Sequence, residues 1–311
     1  MELTSHNYGI DREKLKEFVL NNPRLVTRKE SKRYPDLYVL KYKYTVFFNN
    51  LWDQNEMLRH CRGLVVDADF NVVQLPFKKI YNYQENGAGV DWHPRTFVGV
   101  SRKVNGFMAS LSVYNGKLLI GTTGSLDSDF VGYAETYLKD IDPSTLCPET
   151  TYMFEICHPD DPHIIPEKSG AYLLSIIHQG TEFYSFDNAR LMLSYGDSAF
   201  QEIAKYADVS EWYDPIPDMR FVDAVKMARE APHEGYVIFN YTKGEMIKIK
   251  SKAYLFQKMV ARKADIMALN MARVEEEFYP LIEKLRKDEA FKVMPEQDRL
   301  EYMRNLLNST L

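Results

Sequence analysis

The sequence predicts an α+β fold rich in short antiparallel strands, followed by a small helical C-terminal domain. Two observations carry this. Short runs of apolar, aromatic and β-branched residues, split by turn signals such as Tyr114-Asn115-Gly116, fill most of the chain up to Lys250. From Ser251 the texture changes: Phe256, Met259, Ile266, Leu269, Leu281, Leu285, Leu300 and Leu306 recur at helical spacing among charged residues. A boundary near Lys252 therefore separates a strand-rich unit, 1–252, from a helical unit, 253–311, with Pro280 and Pro295 as breaks.

Taken in order, Asp11 caps an expected helix that places Leu15, Phe18 and Val19 on one face, and Asn21-Asn22-Pro23 ends it. Strands are expected from Leu37 to Phe48. Cys61–Asp67 and Asn71–Val73 read as a hairpin. Further strands are Phe97–Ser101, Phe107–Val113, Lys117–Gly121, Tyr152–Cys157 and Tyr172–His178. Helices are expected at Asp127–Lys139, Ala189–Ala204 and Asp223–Glu230. Gly235–Asn240 and Glu245–Lys250 form a last hairpin around Tyr241-Thr242-Lys243-Gly244.

A chain of 311 residues with 45% hydrophobic content is large enough to bury a sizeable core. Its three cysteines, Cys61, Cys147 and Cys157, form no spaced framework, so reduced thiols in a cytoplasmic compartment are expected. The N-terminus shows no signal peptide, and no apolar run approaches the roughly 20 residues of a membrane span. The net charge of −5 argues against nucleic acid globally. Its distribution argues otherwise: Arg24, Arg28, Lys29, Lys32, Arg33, Lys41 and Lys43 cluster among Tyr34, Tyr38, Tyr42 and Tyr44.

Lys103-Val104-Asn105-Gly106 is a weak signal alone. It stands, however, in an ordered set: Cys61-Arg62-Gly63, Lys79-Ile80-Tyr81-Asn82, Lys103-x-x-Gly106, Phe154-Glu155, the apolar run Tyr172–Ile177, Glu234-Gly235-Tyr236-Val237 and Lys248-Ile249-Lys250-Ser251. That order resembles the covalent nucleotidyltransferases, polynucleotide ligases and messenger-RNA capping enzymes. Within them it resembles the ATP-dependent RNA ligases of T-even bacteriophages, over roughly residues 37–254. The resemblance implies an antiparallel-sheet-rich, ATP-grasp-like nucleotidyltransferase domain. It also implies a reaction in which ATP and Mg²⁺ or Mn²⁺ are used to join RNA 5′-phosphate and 3′-hydroxyl ends through lysyl-AMP.

In that reading Lys103 attacks the α-phosphate, which requires an unprotonated amine although a free lysine has a pKa of about 10.4. Lys248 and Lys250 share one face of a strand whose other face carries Ile247 and Ile249. They would contact the phosphate and disfavour a second cation at Lys103. Glu234 would help hold the metal, and Glu155 would meet the ribose, pair with the lysines or share the metal. Arg62 and Lys79 would lie on the triphosphate or RNA end, with Tyr81 beside them. Gly235 would admit close backbone approach to the nucleotide, and Gly106 would belong to the nucleotide site. The chain departs from the phage pattern at Thr123, where a basic residue usually stands, so a phosphate contact there is lost or supplied from elsewhere.

Singly, each residue has an ordinary reading: Lys248 and Lys250 as a solvated strand face, Arg62 as a surface ion pair. Cys157, His158, Asp160, Asp161 and His163 gather metal-ligand types, but Pro159 and Pro162 spread them. His178 and His233 read as structural. A non-catalytic RNA-end binder, a DNA ligase and a capping-type enzyme stay open as alternatives. The helical residues after 255 are too few for the barrel that usually follows in the last two. The RNA partner is expected to be single-stranded, because the basic, tyrosine-rich segment suits stacking on unpaired bases. The enzyme is expected to be a monomer with no membrane partner.

Overall fold

Asp11 accepts a hydrogen bond from the Lys14 amide and opens helix α1 (Arg12–Asn21), which buries the expected Leu15, Phe18 and Val19. The computed structural model describes residues 7–163, 165–178, 198–255, 279–295 and 302. Strand β1 (Val26–Glu30) pairs antiparallel with β2 (Tyr38–Tyr42).

The strand expected to run on to Phe48 stops at Tyr42, and Tyr44–Phe48 forms the short helix α2. Pairing between β1 and β2 ends at Val26 and Tyr42, and the Lys43 amide donates to the Leu25 carbonyl just beyond. With no further partner strand, the next backbone groups bond internally and Val46 drops into the core.

Helix α3 (Met57–His60) leads into the expected hairpin of β3 (Arg62–Val66) and β4 (Val72–Gln74). The first sheet has the order β1-β2-β3-β4. The short β5 (Tyr81–Asn82) precedes β6 (Phe97–Arg102), β7 (Phe107–Tyr114) and β8 (Lys117–Thr122). Asn115 and Gly116, with φ of 50° and 72°, make the tight turn between the last two.

Helix α4 (Asp129–Leu138) separates them from β9 (Thr150–Cys157) and β10 (Gly170–His178). Of the helix expected at 189–204, Ser198–Ile203 is helical (α5), and 189–197 lie outside the described residues. Next come β11 (Ala207–Asp208), α6 (Ser210–Tyr213), β12 (Met219–Arg220) and α7 (Phe221–Glu230). The final hairpin, β13 (Gly235–Asn240) and β14 (Glu245–Lys250), has the expected bounds and pairs Gly235 with Lys250 through Asn240 with Glu245. Along its second strand the half-buried Lys248 and Lys250 alternate with the buried Ile247 and Ile249.

The second sheet runs β11-β10-β9-β7-β8 and the third β12-β6-β13-β14-β5, with parallel pairing at β10–β11 and β14–β5. The other pairs are antiparallel, as the α+β expectation requires. Leu37, Val39 and Val65 meet Leu119 and Leu126, joining the first sheet to the second. Phe221, Ala224 and Ala228 of α7 cover the third sheet with Trp92. Beyond Ser251, residues 252–255, α8 (Tyr279–Lys287) and α9 (Glu289–Lys292) are helical. Pro280, expected as a break, stands at the second residue of α8. The other helical expectations there, including those just past Pro295, fall on residues outside the described ones. No helix among the described residues is long and apolar enough to cross a membrane.

Candidate active site

Residues 103–106 are the crossing from the third sheet to the second, between the end of β6 and the start of β7. The Lys103 amide donates to the Gly235 carbonyl at 2.9 Å, which ties the crossing to the start of β13. Gly106 is pressed against β9: a Cβ there would stand 2.2 Å from the Ile156 carbonyl oxygen. Gly235, at φ 135°, would place a Cβ 2.0 Å from the Ile249 oxygen. Both glycines are thus demanded by strand contacts within the protein, a nearer reason than approach to a nucleotide.

Side chains of the second and third sheets reach this crossing. Lys103 Nζ donates to Glu234 Oε2 at 2.9 Å, and Lys250 Nζ lies 3.0 Å from Glu234 Oε1. With its amide oriented to satisfy both ends, Asn105 donates to Glu234 Oε2 and accepts from the Ile165 amide, each at 3.1 Å. Burial opposes ionisation of Glu234, yet the two ammoniums outweigh it and hold the carboxyl below its usual range. The expected arrangement, with the Lys248 and Lys250 cations acting directly on Lys103, is therefore modified. The Glu234 carboxylate stands between Lys103 and Lys250.

Glu155, on β9, is buried and accepts from the Gly106 amide at 3.1 Å. Burial pushes its carboxyl up, against the pull of Lys103 and with the repulsion of Glu234. The lysine pairing offered for it does not form; the Lys-x-x-Gly backbone is its partner.

A cavity of about 350 Å³ opens in front of this cluster, within the size range of small-ligand sites. Arg62, Lys103, Gly106, Glu155 and Lys248 line it, with apolar walls from Ile80, Phe107, Leu174, Trp212, Val237 and Met246. Thr123 stands at the same cavity.

Lys79 and Tyr81 do not line it. Lys79 is 2% exposed, and its ammonium lies 3.1 Å from Glu85 and 5.1 to 5.7 Å from the ring centres of Phe47, Trp52 and Tyr81. The resemblance puts Lys79 on the triphosphate; the structure gives its charge to a carboxylate and three rings instead. Glu85 Oε2 in turn accepts from the backbone and side-chain nitrogens of Asn82 at 2.7 Å, and Asn82 is in register with Lys248. Lys79 thus braces the strand that carries Lys248. Burial pushes the Tyr81 phenol up to about 12, so it stays neutral.

The basic and aromatic patch divides in the same way. Arg28 lies 3.5 Å from the Tyr38 ring centre and also over Phe70. Arg33 pairs with Glu135 at 2.6 Å, and Tyr42 meets Trp52 edge to face. These are structural contacts. Lys29, Lys32, Lys41, Tyr44 and Phe48 remain exposed. His158 stacks on Tyr133, and His163 bonds Asp161. His178 meets Thr150, and His233 accepts from the Gly235 amide.

Sequence reasoning passed over Arg102, which grips Glu167 through both carboxylate oxygens, and Glu211, which accepts from Ser101 at 2.8 Å. Ser101, Arg102 and Trp212 line the cavity. No motif flags these residues, because the contacts join segments 65 and 110 positions apart.

Among the described residues no group of three His, Cys, Asp or Glu side chains forms a metal cage. Glu155 lines the cavity, and Glu234, close enough for its charge to reach Glu155, stands behind the lining with its oxygens on Lys103 and Lys250. One or two carboxylates completed by substrate phosphates is how Mg²⁺ is usually held in phosphoryl-transfer sites, so these residues fit a metal that arrives with a nucleotide.

No protein-family model and no curated protein matches the chain. Among solved structures it is similar to an archaeal ATP-dependent RNA ligase in two forms, at 16% and 14% identity with TM-scores of 0.56 and 0.55. Each match covers 98% of this chain and 77% of the other. It is also similar to a putative ATP-dependent DNA ligase from Aquifex aeolicus, at 14% identity and TM-score 0.51, over 96% of this chain and 78% of that one. The chain has the fold of these ligases.

Proposed function

We propose that the protein is an ATP-dependent RNA ligase of the T-even phage type, working through a lysyl-AMP on Lys103. The observation that carries this is the position of Lys103 at the mouth of a cavity lined by Arg62 and Lys248, with its ammonium held by the buried Glu234. Lys103 Nζ, once deprotonated, attacks the α-phosphorus of ATP; the new N–P bond forms as the bond to pyrophosphate breaks. Lys248 and Arg62 offer charge to the phosphate oxygens, where stabilisation of the transition state matters most. Glu234 holds the Lys103 ammonium in place before the reaction and shares its other oxygen with Lys250. Glu155 fixes the Gly106 amide and so the orientation of the lysine-bearing turn. Mg²⁺ held by Glu234 and Glu155 with the phosphates would neutralise charge on the leaving pyrophosphate.

An RNA 5′-phosphate oxygen then attacks the adenylate phosphorus and frees Lys103. Last, a 3′-hydroxyl attacks the 5′-phosphorus and expels AMP. Exposed Tyr44, Phe48 and Lys41 support a single-stranded substrate, since ring faces and cations together suit unpaired bases and their backbone. The 1–252 and 253–311 division belongs to this reading, with the chemistry confined to the first part.

The test is to preload the enzyme with ATP or GTP and chase the adduct with 5′-phosphorylated RNA or nicked duplex DNA. ATP loading with transfer to RNA is the expected result. GTP preference, or discharge to nicked DNA alone, would replace it with a capping or DNA-ligase assignment.

A further inference from the structure

Lys41 and Arg62 are Cα partners across β2 and β3, just past a bulge between Leu40 and Lys41. Side chains so placed are near neighbours, and like charges directly opposite one another repel. Among the described residues neither has a carboxylate within ion-pair distance. Arg62 Nη1 finds a sulfur, Met108 Sδ at 3.5 Å. Lys41 lies against Gly124, where an added Cβ would stand 2.9 Å from its Nζ and 3.2 Å from its Cδ. Thr123, next to Gly124, lines the cavity with Arg62. Lys41 thus lies against Gly124, one residue from the cavity-lining Thr123, and its strand partner Arg62 lines the same cavity, so two cations without an acid flank this segment, an arrangement suited to an anion.

We propose that Lys41 and Arg62 form a phosphate clamp beside the cavity, with Lys41 the cation that the Thr123 segment does not supply. The inference rests on reading the cavity as a nucleotide site. The same phosphate chemistry has two sources there: the β- and γ-phosphates of ATP, and the 5′-phosphate of the RNA. Gly124 is part of the device, because any side chain at that position pushes Lys41 away.

Three measurements on the full chain test it, each with wild type, Lys41→Ala, Lys41→Arg, Gly124→Ala and, as a surface control, Lys117→Ala. Calorimetry reads binding of inorganic pyrophosphate. Labelled ATP reads the KM for self-adenylylation. Single-turnover assays read transfer of AMP from preloaded enzyme to 5′-phosphorylated RNA. If the clamp takes ATP, Lys41→Ala weakens pyrophosphate and raises the KM for ATP about tenfold, the loss expected for one charged hydrogen bond. If it takes the RNA end, the transfer arm falls by a similar factor instead. In either case Lys41→Arg recovers most of the loss, Gly124→Ala shows part of it and Lys117→Ala none. Wild-type values for Lys41→Ala in all three arms would overturn the clamp. A wild type that forms no adduct, but whose pyrophosphate binding depends on Lys41, would leave the clamp standing and remove the ligase reading.

Discussion

Lys103 Nζ and Glu234 Oε2 lie 2.9 Å apart, and the other oxygen of that carboxylate holds Lys250 at 3.0 Å. Glu234, with a side chain 3% exposed, is thus the common counter-charge of one lysine on the β6–β7 crossing and one on β14. Glu234→Gln should cost about 3 kcal/mol of stability at neutral pH, because it leaves two sparsely solvated ammoniums facing a neutral amide. Urea denaturation measures it.

The same carboxyl gives an acid limb to wild-type stability. Its value is depressed in the fold, so its contribution is fully present above the unfolded carboxylate value of about 4.3 and is lost as pH falls through the lower folded value. Denaturation midpoints in Glu234→Gln should be flatter below about pH 4.5 than in wild type.

Glu155 carries the opposite sign. Burial raises its value, so the stability linked to its protonated form is present below about pH 4.3 and is lost as pH rises through the folded value. Glu155→Gln, which still accepts from the Gly106 amide, should match wild type in acid and become the more stable protein toward pH 8. Equal pH profiles would show that Glu155 is solvated.

Gly106→Ala and Gly235→Ala should each cost more than about 2 kcal/mol, because the new methyl meets a carbonyl oxygen at 2.2 or 2.0 Å. Gly132, inside α4 with no atom within 4 Å of its Cβ position, should accept alanine with a gain of up to about 1 kcal/mol. Thermal melting of the three variants gives the comparison.

Lys79→Met keeps the aliphatic stem and removes the charge from Glu85 and the three rings. Melting should show a loss of about 3 kcal/mol with pyrophosphate affinity close to wild type. A stable variant that no longer binds pyrophosphate would return Lys79 to the phosphates.

The sequence is most legible where its signals are local. The Gly235–Lys250 hairpin was readable to the residue, since alternation and a four-residue turn fix register by themselves. Tyr44–Phe48 was not: its aromatic and β-branched residues favour a strand, and only the end of β1 pairing decides otherwise. The motif residues around Lys103 were legible as types, while their partners were not. Glu155 reaches Gly106 across 49 positions, and the Lys79 cage draws on Phe47, Trp52, Tyr81 and Glu85. In the sequence Lys41 is one cation among seven, and only the strand register sets it opposite Arg62.

The most direct test of the ligase account is to incubate wild type and Lys103→Ala with ATP labelled at the α-phosphate, then map the label by peptide mass. The account predicts an acid-labile AMP on Lys103 in wild type, none in the variant and its discharge by 5′-phosphorylated RNA. Equal labelling of Lys103→Ala, or reversible ATP binding by wild type without an adduct, would contradict it.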